Sequence, residues 1–331
     1  MSEETEDAII RRIPYSTLFV VAALFYKDRD LLIMSVGQSL KAFLDVDIEL
    51  LVNFKLRQLL DKSNWTTYTL TATEVHTALF ANALIIGILW ILIQTLYGEK
   101  TTYSTDKEED EKLRKRARRK LSWVPTFVNS LFMTLMGIGY YVIKTDCLND
   151  VSGLWMYAQG DGEYVWRSMD NVSVLVMAWF AMFNVFDICF GSVYCFECLD
   201  PLTAWVHHPV FTWICYIGTT GNGIFYQGRP FASAFMVCSL EEFPTWHLAA
   251  GAMFPSLRSD WVFGGSFFVL RICYHLYHAV LCFLNDPSPT WYSITTPKMI
   301  FLFSMLMHLV WFKAWVVKYM IPLLTRKVKE T

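Results

Sequence analysis

The sequence predicts an all-α fold, a polytopic transmembrane helical bundle with about seven spans. Three observations predict it. Apolar residues make up 54% of the chain against 18% charged, a more apolar balance than soluble domains show. They fall in blocks near the roughly 20 residues that cross a hydrocarbon core, not at the scattered periods of a soluble core. Basic residues gather between the first two blocks and again at the C-terminus, as an odd number of spans with one cytosolic face requires. The expected partners are accordingly membrane lipids and not nucleic acid.

Residues 1–71 mix charge with short apolar runs, and LFVVAALFY ends at Lys27-Asp28-Arg29-Asp30, too soon to span. This segment is read as lumenal or interfacial, and its acidic start, MSEETEDAII, predicts no cleaved signal peptide. The first transmembrane helix is 72–97, followed by a charged cytosolic linker, 98–121, with Lys112, Arg114, Lys115, Arg116, Arg118, Arg119 and Lys120. The remaining domain, 122–325, holds about six spans, near 122–144, 172–196, 206–226, 231–251, 261–284 and 298–320. Positive-inside bias places the linker and the Lys318, Arg326, Lys327 and Lys329 tail in the cytosol, and the N-terminus in the lumen. Two sequons, Asn64-Trp65-Thr66 and Asn171-Val172-Ser173, then fall on the glycosylated side. Most of the eight cysteines sit in apolar blocks as small fillers. Cys195-Phe-Glu-Cys198 lacks the two further ligands of a zinc site, so no metal is expected.

Ionisable residues inside spans cost a few kcal/mol each and so normally face the interior of a bundle. This chain places Asp187 within WFAMFNVFDICFG, His207-His208 at the next helix start, and Glu241, Glu242 and His247 on the following one. Arg271, His275 and His278 stand at i, i+4 and i+7, along one helical stripe. Arg271 needs a counter-charge, for which Asp187 or Glu241 and Glu242 are the candidates. An architectural ion pair and a seat for a lipid headgroup both satisfy that pattern. His207 and His208 lie about 100° apart on a helix, so one ring is expected inward and the other toward the interface. His308 and Lys313 read as interior packing and snorkelling.

The order WFAMFNVFDICFG, Asp200, His207-His208, LEEFPTWHL, FFVLRI resembles the TLC domain of translocating-chain-associating, longevity-assurance and ceroid-lipofuscinosis proteins, over 120–325. The resemblance implies a multi-pass protein of the endoplasmic reticulum concerned with ceramide synthesis, lipid sensing, lipid transport or membrane composition. In the ceramide synthases of that family, acyl transfer is associated with a histidine pair, then a His-Asp pair, an Asp and a Glu. His207 and His208 match the first pair and Glu241 the glutamate, but Ser233-Ala234 and Val237 stand at the other positions. The leading expectation is therefore a membrane lipid homeostasis protein binding or sensing a lipid or fatty-acyl group. Its polar intramembrane lining would comprise Asp187, Asp200, Glu241, Glu242, His247, Arg271, His275 and His278. The alternative is an N-acyltransferase with His207 and His208 as catalytic base or nucleophile, fatty acyl-CoA as co-substrate and a sphingoid base as acceptor. No other cofactor is implied. A lipid transporter or membrane-protein chaperone is a third expectation.

Overall fold

A computed structural model describes residues 69–97, 107–145, 170–200, 202–220, 232–285 and 297–322. Most of the predicted 1–71 segment, the Asn64 sequon and the basic end of the tail lie outside the described residues. Among the described residues every regular element is helical and none is a strand.

Helix α1, Ala72–Tyr97, opens on a capping box: the Thr71 amide donates to Glu74 Oε2 at 2.7 Å, and the Glu74 amide to Thr71 Oγ1 at 3.3 Å. Helix α2, Lys107–Thr145, begins with Glu108, Glu109 and Asp110, acids that suit the positive end of the helix dipole. Two i, i+4 pairs, the exposed Lys112 with Glu108 and the half-buried Arg114 with Asp110, lie on its first turns. The predicted linker is thus helical from Lys107 and runs into the next span unbroken. Helix α3, Asn171–Tyr194, is capped by Asp170, which accepts from the Ser173 amide at 2.8 Å and from the Tyr140 hydroxyl at 2.6 Å.

Prolines shape the middle of the chain. Helix α4, His208–Thr220, follows a π turn at Thr203–His207, where the wider turn accommodates Pro209, which has no amide to donate. Helix α5, Ala232–Cys238, gives way to a 3₁₀ turn at Ser239–Glu242, and Pro244 then starts α6, Phe243–Met253. Proline cannot continue the ladder from the turn before it, so the regular α-helical hydrogen bonding is interrupted there. Helix α7, Asp260–Ser266, passes through a π segment, Phe267–Tyr274, into α8, His275–Asn285. Helix α9, Pro297–Trp315, ends in a π segment at Val316–Met320.

Five helices among the described residues are long and apolar enough to cross a membrane: Thr73–Ile93, Glu108–Ile143, Asn171–Val193, Asp260–Leu284 and Pro297–Met320. Apolar side chains also face outward on them, including Ile88, Ile91, Leu92, Val269, Leu276, Leu306 and Val310. These features are compatible with a multi-pass membrane protein. Of the other two predicted spans, the one near 206–226 is described only as far as Thr220, and near 231–251 the Ser239–Glu242 turn divides the helix into two short pieces.

The chain falls into two compact units, Met1–Pro125 with Val174–Gly221, and Thr126–Ser173 with Asn222–Thr331. In the first, α1 packs on α4, and Trp90 meets Phe190 of α3 with ring centroids 5.1 Å apart. In the second, α8 and the Phe267–Tyr274 segment pack on α9, α6 packs on α7, and the Ser239–Glu242 turn packs on the π segment. Gly137 of α2 allows that turn to approach, since a Cβ there would collide with Ser239 Oγ and press on the Leu240 amide. Gly264 does the same for the Trp315 ring.

Candidate functional site

The second unit gathers the largest group of buried charges. The Ser239–Glu242 turn directs Glu241 inward, and Arg271 and His275, one α-turn apart in sequence, reach it from the π segment and the start of α8. Arg271 Nε donates to the Glu241 carbonyl at 2.7 Å, and Nη2 donates to Glu242 Oε1 at 3.1 Å and Thr245 Oγ1 at 2.6 Å. Its guanidinium also lies 5.4 Å from the Phe267 ring centroid and 5.8 Å from that of Trp311, within cation–π range. The counter-charge of Arg271 is thus Glu242, from one of the two carboxylate sources the sequence offered.

The Glu241 carboxylate is left for histidines. His275 Nδ1 stands 2.8 and 3.0 Å from its two oxygens, while His275 Nε2 donates to the Phe301 carbonyl at 3.0 Å. His308 of α9 donates from Nδ1 to the Arg271 carbonyl at 2.9 Å and turns Nε2 to within 3.7 Å of Glu241 Oε2. All three side chains are buried. Their ligand atoms lie within 4.8 Å of one another.

The first unit holds a smaller pair. The Thr203–His207 π turn and Pro209 start α4 so that His208 is buried and His207 half-buried. His208 Nδ1 lies 3.3 Å from Asp187 Oδ2 of α3, whose side chain retains 22% exposure against 8% for His208. Phe183 stands edge-on to the His208 ring at 6.4 Å. At that distance the two groups interact electrostatically without a hydrogen bond.

The remaining predicted lining residues have other places. Asp200 is exposed and caps the helix start, accepting from the Thr203 amide at 2.8 Å and its hydroxyl at 2.7 Å. His247 Nε2 donates to the Ser259 carbonyl at 3.1 Å, tying α6 to the chain leading into α7. His278 is buried and meets the Tyr274 and Tyr277 rings edge-on. Asn171 is fully buried at the start of α3, and its sequon serine is engaged in the Asp170 cap. Cys195 and Cys198 are joined as a disulfide.

Sequence reasoning assigned His308 to packing and passed over Thr245, yet both contact this cluster. A histidine in FLFSMLMHLVWF was the available signal for the first; Thr245 gave none beyond its place after Glu242. Outside the spans, Arg258 bonds Asp260 at 3.3 Å and Tyr319 at 2.9 Å. Desolvation, the largest single effect, opposes its charge, but Tyr319 and Asp260 together outweigh it and hold its pKa above the usual value. No protein-family model matches this chain, and neither does any curated protein or solved structure.

Proposed function

We propose that this chain is a multi-pass membrane lipid homeostasis protein of the endoplasmic reticulum that receives a lipid or fatty-acyl headgroup in its polar interior. One observation carries the reading: Glu241, Glu242, Arg271, His275 and His308 converge inside helices whose outer faces are apolar. Each ionisable group at membrane depth costs about 3 kcal/mol on insertion scales, so such a concentration marks a site by default. The TLC-like order of motifs in 120–325 supports the same class, with about seven spans and a lumenal N-terminus. The test is quantitative lipidomics of cells lacking the protein, rescued by wild type, by His207→Ala/His208→Ala or by Glu241→Gln. Restoration of phospholipid acyl composition by wild type and the double variant, but not by Glu241→Gln, is the expected result. An unchanged lipid profile in the deficient cells removes the reading.

The Asp187–His208 contact favours a second reading, acyl transfer from a fatty acyl-CoA to an amine such as a sphingoid base. His208 would take the proton of the attacking amine as the new amide C–N bond forms and give it to the coenzyme A sulfur as the thioester C–S bond breaks, so that coenzyme A leaves as a thiol. Membranes containing wild type would then show acyl-CoA-dependent N-acylation that His208→Ala abolishes. Equal N-acylation by both eliminates this reading.

A further inference from the structure

We propose that Glu241, His275 and His308 form a binding site for one divalent transition-metal ion of the zinc or ferrous type. The inference stands independently of what the chain does with lipid, because it rests on the donor set and on which nitrogen of each ring faces it.

A peptide carbonyl only accepts. The ring nitrogens that meet the Phe301 and Arg271 carbonyls, His275 Nε2 and His308 Nδ1, are therefore the protonated ones. In the neutral rings the lone pairs then lie on His275 Nδ1 and His308 Nε2, the two nitrogens turned toward Glu241. Metal-ligating histidines are held in this way, with the far N–H given to a carbonyl or carboxylate so that tautomer and ring direction are fixed. Both histidines of the cluster have that outer partner, and the partners come from different helices.

The spacing agrees. Ligand atoms on a tetrahedral ion with bonds of about 2.0–2.1 Å stand roughly 3.4 Å apart. Here Glu241 oxygens lie 2.8 Å from His275 Nδ1 and 3.7 Å from His308 Nε2. The longer contact sets a lone-pair nitrogen opposite a carboxylate oxygen, which a metal ion or a proton between them makes favourable. Arg271 Nε and Nη2 are directed elsewhere, to the Glu241 carbonyl and to Glu242 and Thr245. Two imidazoles and one carboxylate form the ligand set of His₂Glu zinc sites and of two-histidine, one-carboxylate ferrous sites, both of which keep further positions open. The rival occupant is a second proton, which would make the cluster an ion pair and nothing more.

Metal content separates the two. The full chain, purified in detergent with a tag free of histidine and without chelators, is analysed for bound metals and, after chelation, titrated with Co(II). About one equivalent per chain is expected, with visible Co(II) ligand-field bands. Glu241→Gln and His308→Ala should weaken Co(II) binding by more than about 100-fold, while His247→Ala leaves it unchanged. Wild type holding under about 0.1 equivalent of any divalent metal and developing no Co(II) bands overturns the site. So do bands that persist in both ligand variants. If those variants fail to fold, X-ray absorption of the wild-type zinc or cobalt form decides: two imidazole ligands support the site, and fewer overturn it.

Discussion

The two buried charge clusters differ in how completely their partners are supplied. Around Arg271 the second unit provides a carboxylate, a hydroxyl and a carbonyl, and neighbouring Glu241 has two histidines. In the first unit, Asp187 and His208 meet at 3.3 Å with Asp187 still partly exposed. A fully partnered charge is locked in place, because losing any partner leaves a desolvated group unsatisfied. A sparsely held pair keeps capacity for another molecule. Chemistry on an external substrate therefore suits the Asp187–His208 pair, whereas the Glu241 cluster suits a resident ion or a tightly seated headgroup.

The comparison breaks most visibly at Arg271. Arg271→Met should destabilise the protein by about 3–5 kcal/mol, since Glu242 becomes a buried, unpaired charge. Thermal unfolding in detergent would read this, and adding Glu242→Gln should restore a good part of the loss. Gly137→Val comes next, at about 1–3 kcal/mol, because its side chain would press on the turn that carries Glu241. If the Glu241 cluster depends on that turn, Co(II) uptake should fall in the same variant. His208→Gln sharpens the contrast. It should cost no more than about 1.5 kcal/mol in unfolding assays. Asp200→Ala should cost about 1 kcal/mol through the lost helix cap, with no effect on lipid profile or metal content. Smallest is Arg258→Ala, within about 0.5 kcal/mol, since the Asp260 pair is solvent-exposed.

Much of the second unit was legible in the sequence. The length of apolar blocks gave the helices, and the rule that a buried guanidinium needs a counter-charge pointed to Asp187 or to Glu241 and Glu242, of which the structure uses the second source. The choice between the two glutamates was not legible. It depends on the 3₁₀ turn before Pro244, which sends Glu241 inward to the histidines and Glu242 to Arg271. That turn also divides the predicted 231–251 span, which an apolar count alone reads as one element. His308 is buried as interior packing implies, but its partners were not legible for a related reason: they follow from the packing of α9 on the π segment and α8, information no local pattern contains. Asp200 shows the converse. A helix cap and a site carboxylate have the same spelling, and only the Thr203 contacts separate them.

The π segment at Phe267–Tyr274 behaves like a dislocation in a crystal: it carries surplus chain that the regular lattice on either side does not need. Each surplus residue turns the helix below it by about 100° relative to the helix above. A single helical wheel drawn through Asp260–Leu284 is consequently out of phase with itself, and outward positions of α7 do not predict outward positions of α8. Deleting one residue inside the segment would close it toward an ordinary α-helix and carry His275 away from Glu241 while leaving the composition of the span almost untouched. Hydropathy would register nothing, although the cluster would be gone.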